Sequence, residues 1–135
     1  MTLKLKTKHL PQGEINMGLT HVAAKVGQLG CNELYNAEFL VDTGALDSMA
    51  PSSELKRLGI EPRGTRTYEL ADGKLQEFEY GLAEIRFLGE ITCTEIIFGP
   101  ENVKPILGVI TLEAAGYILD PNNQKLRKLR ARPLK

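Results

Sequence analysis

From "GLTHVAAKVG" (18–27) to "EITCTEIIFGP" (90–100), the chain is a series of short runs that alternate apolar and polar residues. Each run ends at Gly, Pro, Asn or Asp. Runs of this kind, rich in β-branched and aromatic residues, are strands that bury one face. Strands are expected at 18–27 and 33–42, with a loop at Gly27 to Asn32 between them. The segment 66–90 is a hairpin whose Asp-Gly turn is Ala71-Asp72-Gly73-Lys74. In 90–100, Ile91, Cys93, Glu95 and Ile97 share one face and Thr92, Thr94, Ile96 and Phe98 the other. Helical signals are short. "PSSELKRLGIEP" (51–62) opens on a Pro-Ser-Ser cap and stops at Gly59, and a second short helix is expected from Thr111 to Ala115. The chain then closes with a hairpin turning at Asp120-Pro121-Asn122-Asn123. The pattern predicts a mainly β fold, a barrel or sandwich with one or two short helices.

At 135 residues the chain has room for one domain with a core, and 42% hydrophobic with 25% charged residues fits an ordinary globular protein. No apolar run is long enough to span a bilayer, and "MTLKLKTKHLPQGEIN" lacks the apolar centre of a secretory signal. Cys31 and Cys93 stand far apart, without a second Cys or a His at ligand spacing. Neither a disulfide framework nor a zinc site is expected, and a reducing, cytoplasmic setting fits. Net charge is zero, but the ends are basic: Lys4, Lys6 and Lys8, then Lys125, Arg127, Lys128, Arg130, Arg132 and Lys135. No aromatic residue is interleaved among them, so soluble edge strands explain them better than nucleic-acid binding.

The chemistry concentrates in "FLVDTGALDSMAP" (39–51). Phe39-Leu40-Val41 is a buried strand that ends on a carboxylate, and an unpaired buried charge is costly. Gly44 allows a close backbone approach and offers an amide to that carboxylate, while Thr43 supplies a hydroxyl to brace the loop. One carboxylate is a poor catalyst of amide hydrolysis. Two that share a proton act as base and acid together, because like charges so close cannot both ionise.

"FLVDTGALDSMAP" together with "PILGVITLEAAGYILDPNNQKL" resembles the retropepsin-like aspartic proteases, and among them the small single-domain prokaryotic type. The likeness runs from about Met17 to about Arg130. Asp-Thr-Gly-Ala comes first, then a hairpin with "LADGK" at its tip, then Ile106-Leu107-Gly108 before a short helix. It implies a closed β-barrel of the acid-protease type with one lobe per chain. The domain would occupy residues 17–135, with residues 1–16 an N-terminal extension or a dimer-interface strand. It also implies Asp42 as the catalytic aspartate, Thr43 bonded across a twofold axis, and Gly44 and Ala45 on the groove floor. Ala71, Asp72, Gly73 and Lys74 would form a flap over the peptide, and Ile106, Leu107 and Gly108 a supporting loop. The chain holds no second Asp-Thr-Gly or Asp-Ser-Gly, so the resemblance implies a homodimer with a shared dyad, acting on peptides or unfolded proteins without metal or cofactor.

In viral relatives the residue after Asp-Thr-Gly-Ala is often acidic, and an arginine follows the later Gly. Here those places hold Leu46 and Val109, which implies an apolar contact in place of an ion pair. Asp47 lies near the loop as a hydrogen-bond partner of backbone or substrate, or as a solvated residue, Asp72 as a turn former, and Asp120 as a structural turn residue. His9 and His21 are isolated. The competing function is a catalytically silent module of the same fold that binds extended peptides or only dimerises. The intact Asp-Thr-Gly-Ala favours the enzyme.

Overall fold

Alternating burial along each run produces the strands seen in a computed structural model of the chain, which describes residues 14–16, 21–120, 125–132 and 134. In chain order they are β1 (Glu14–Asn16), β2 (His21–Gly27), β3 (Tyr35–Val41), β4 (Ser48–Pro51), α1 (Ser52–Arg57), β5 (Gly64–Glu69) and β6 (Leu75–Phe87). Then follow β7 (Glu90–Gly99), β8 (Ile106–Leu107), α2 (Val109–Ala114), β9 (Tyr117–Asp120) and β10 (Lys125–Lys128). His9 and the turn residues Pro121 to Asn123 lie outside the described residues.

The main sheet has the order β2-β3-β8-β4-β7-β6-β5, and β2 also pairs with β6. That extra pairing closes six strands into a barrel and leaves β5 outside it. β6 is thirteen residues long and belongs to both parts. Its first half, Leu75 to Tyr80, pairs with β5, while Tyr80 to Phe87 pairs with β7. Val26, Phe39, Ile85, Ile96 and Leu107 are fully buried inside the barrel, and Leu55 of α1 caps this core. Burying each such side chain contributes about 1.5–3 kcal/mol. On β7 the expected alternation holds, with Thr94, Ile96 and Phe98 buried and Ile91 and Cys93 exposed; Ile97 is also buried, on the opposite face.

α1 stops where the sequence indicated. Gly59 takes φ +81°, its amide bonds to Lys56 O and the Ile60 amide to Leu55 O, the bond pair that closes a helix on a left-handed residue. Its start differs. Pro51 is both the last residue of β4 and the helix N-cap, without a side-chain capping bond. Ser52 and Ser53 are already inside the first turn, so their hydroxyls fall past the capping position. α2 likewise begins two residues earlier than the sequence suggested, directly after Gly108.

A second, antiparallel sheet has the order β1-β10-β9, with Leu126 buried. Here β1 pairs with β10 of the same chain, in the register Glu14 with Arg127. Residues 14–16 and 125–127 therefore pair within one protomer. Among the described residues no helix is long and apolar enough to cross a membrane.

Candidate active site

The two-residue strand β8 sets the geometry. It lies parallel to β3, with Leu40 opposite Ile106 and Val41 opposite Leu107, and antiparallel to β4, with Met49 opposite Ile106. The chain between β3 and β4 must therefore loop around its end, and that loop is residues 42–47. The Asp42 amide donates to Leu107 O at 3.0 Å, and the Ala45 amide to Asp42 O at 3.1 Å. Asp42 is half-buried at the loop's head, and the Gly44 amide donates to its Oδ1 at 2.9 Å. One carboxylate oxygen is thus fixed by backbone. Thr43 is half-buried beside it.

Ile106, Leu107 and Gly108 run against this loop. The Val109 amide donates to Ala45 O at 2.9 Å and the Ile110 amide to Leu46 O at 3.0 Å. A Cβ on Gly108 would lie 2.6 Å from Leu46 O and from the Asp47 carbonyl, so only glycine permits the approach. Backbone hydrogen bonds join these segments within one protomer, and Leu46 is 65% exposed. Below the loop, Ser48 Oγ and Thr111 Oγ1 are 2.6 Å apart, Thr94 Oγ1 is 3.0 Å from Thr111 Oγ1, and the Gly108 amide donates to Ser48 Oγ at 3.0 Å.

Across from the loop stands the ribbon of β5 and β6. Its tip is a tight turn in which the Leu70 amide donates to Lys74 O and the Gly73 amide to Leu70 O, both at 2.8 Å. Gly73 takes φ +85°, and Asp72 Oδ1 accepts from the Lys74 amide at 2.9 Å, so Asp72 is a turn former here. Between ribbon and loop lies an open cleft of about 880 Å³. Asp42, Gly44, Ala45, Ala71 and Ile106 border it, whereas Leu107 is fully buried behind it. Met49, Phe78, Ile97 and Ile110 make its wall largely apolar. Among the described residues no group of three His, Cys, Asp or Glu side chains is placed to hold a metal ion.

The cleft also holds polar residues that sequence reasoning did not assign to it. The Tyr68 hydroxyl donates to Asp47 Oδ2 at 2.6 Å. Partial burial, and then the Asp47 bond, push its phenol up to about 12. Arg66 bonds both oxygens of Glu95, and the guanidinium lies 4.0 Å from the centre of the Tyr80 ring. Hydrogen bonding to Arg66 holds the Glu95 carboxyl below its ordinary value. Arg66 and Tyr68 are two residues apart on β5 and so share one face of the hairpin. The sequence could not say that this face overlooks a cleft.

A closed six-stranded barrel, an Asp-Thr-Gly loop wrapped around an inserted two-residue strand, and a projecting hairpin together define the retropepsin-like aspartic protease fold. A family model described as aspartyl protease matches residues 22–110, and the chain belongs to that family. Among solved structures it is similar to the protease of simian foamy virus, with 15% identity, a TM-score of 0.51, and coverage of 69% of this chain and 91% of the viral one. No curated protein sequence matches it significantly.

Proposed function

We propose that the protein is an aspartic endopeptidase that hydrolyses peptide bonds in extended polypeptides, using an Asp dyad formed across a homodimer. The observation that carries this reading is the Asp42 carboxylate, held by the Gly44 amide at the edge of a cleft facing a hairpin flap. The family and the similar viral protease support it. Each chain brings one Asp-Thr-Gly loop, so a second carboxylate comes from Asp42 of the partner subunit.

In this mechanism the paired carboxylates share one proton and hold a water between them. The ionised carboxylate removes a proton from that water as it attacks the scissile carbonyl. The protonated carboxylate donates to the carbonyl oxygen, and a tetrahedral intermediate forms. Collapse of that intermediate, with a proton passed to the departing amine, breaks the C–N bond. No covalent enzyme species arises. The split titration of such a pair is the known behaviour of aspartic-protease dyads. Once a peptide fills the open cleft, its apolar wall excludes water, which strengthens these charge interactions.

The test is cleavage of casein or a peptide library by wild type and by Asp42→Asn from about pH 4 to 7, where a shared-proton dyad works. Hydrolysis by wild type should vanish in the variant, while both have the mass of a dimer. A well-folded dimer that cleaves nothing would make the protein a peptide-binding module instead.

A further inference from the structure

The flap is held to the body of the molecule by side chains at its base. Among the described strands β5 pairs with β6 alone, and residues 69–77 are all exposed. A two-stranded ribbon by itself is marginal in water, so its position above Asp42 depends on what ties it down. One tie is Arg66 to Glu95, which anchors β5 to β7 of the barrel wall. A second is Tyr68 to Asp47, which joins β5 to the loop that carries Asp42. Arg66 and Tyr68 stand two residues apart and so share a face of β5. Asp47, Arg66, Tyr68 and Glu95 all border the cleft. The Tyr68 ring packs on Phe78 of β6, with centroids 6.0 Å apart and planes at 60°, which fixes where the hydroxyl points.

We propose that Tyr68 and Asp47 form a latch that sets the flap over the Asp42 loop before substrate arrives. Tyr68 is then a positioning residue, acting through the flap. A flap already near its closed position has less ordering left to do when a peptide binds, and apparent affinity scales with the fraction already competent. Loss of the latch lowers that fraction, so KM rises. Once the peptide is bound it holds the flap itself, and kcat changes little. The kinetic part rests on the endopeptidase reading; the latch does not.

Three variants separate the cases. Tyr68→Phe keeps the ring on Phe78 and removes only the hydroxyl. Asp47→Ala removes the acceptor, and Asp47→Asn retains one. Two readouts are taken: backbone ¹⁵N relaxation of Leu70 to Lys74 in the substrate-free protein, and kcat with KM on a cleaved peptide. Tyr68→Phe and Asp47→Ala should each increase flap motion and raise KM about three- to tenfold, as one part-buried hydrogen bond of ordinary strength warrants. Asp47→Asn should recover most of the effect. The double variant Tyr68→Phe/Asp47→Ala should be no worse than either single one, because both remove the same bond. Unchanged flap relaxation in Tyr68→Phe, or fully additive effects in the double variant, would overturn the latch. If wild type cleaves nothing, the endopeptidase reading fails, and the relaxation data still decide the latch.

Discussion

Beneath the Asp42 loop, Ser48, Thr94 and Thr111 form a buried chain of hydroxyls, with Ser48 and Thr111 fully shielded from solvent. Ser48 Oγ also takes the Gly108 amide, so the cluster fastens the start of β4, where the Asp42 loop ends, to α2 and β7. Removing Thr111 takes a partner from each of Ser48 and Thr94, and an unmade buried hydrogen bond costs more than a made one gains. Thr111→Val, nearly isosteric, should therefore lower unfolding stability by about 1–3 kcal/mol in a denaturant titration. Thr111→Ser should recover much of that loss. The sequence pointed to Asp42, because a buried strand that ends on an unpaired carboxylate is a local anomaly that sequence alone displays. It did not reveal the hydroxyl cluster. Ser48 and Thr111 are 63 positions apart and are ordinary polar residues until the barrel closes. Tyr68 escaped notice for the same reason: it looks like a surface strand residue, and only the fold of the ribbon brings it to Asp47, which the sequence already placed near the loop.

At the scale of elements, legibility followed length and turn chemistry. The hairpin tip was plain because Asp-Gly favours a tight turn, and the end of α1 was plain because Gly59 supplies a left-handed residue. β4 and β8 were not read as strands. Four and two residues are too few to show a period, and β8 pairs in parallel with one neighbour and antiparallel with the other, an arrangement set by tertiary structure alone. Yet β8 and the glycine after it shape the site. Gly108 has φ −93°, a value open to any residue, so the restriction is one of space. A methyl group there would strike the backbone of Leu46 and Asp47. Gly108→Ala should force the two segments apart, break the bonds that Val109 and Ile110 donate, and displace the Asp42 loop. The expected outcome is loss of at least about 2 kcal/mol of stability, in the range known for overpacking a tight site, together with loss of peptide cleavage. A calorimetric melt beside the cleavage assay measures both.

Taken whole, the protomer carries half of the proposed catalytic pair and leaves apolar surface beside it. Leu46 and Ile110, bonded through their backbones, are 65% and 44% exposed next to the Asp42 loop. Large apolar side chains clustered at a functional edge mark a surface meant to be covered. In the proposed dimer a second copy covers them, and burial of one leucine is worth about 1.5–3 kcal/mol. Leu46→Asp would then weaken association by at least about tenfold, since about 1.4 kcal/mol corresponds to one decade. Activity per mole should fall on dilution for wild type, and for Leu46→Asp the midpoint of that fall should move to at least tenfold higher concentration. Sedimentation should show the mass of a monomer at concentrations where wild type is still dimeric. Concentration separates this from a direct substrate role, because Leu46 also borders the cleft. A defect that disappears at high protein concentration assigns Leu46 to the dimer, whereas one that persists undiminished places it against the peptide.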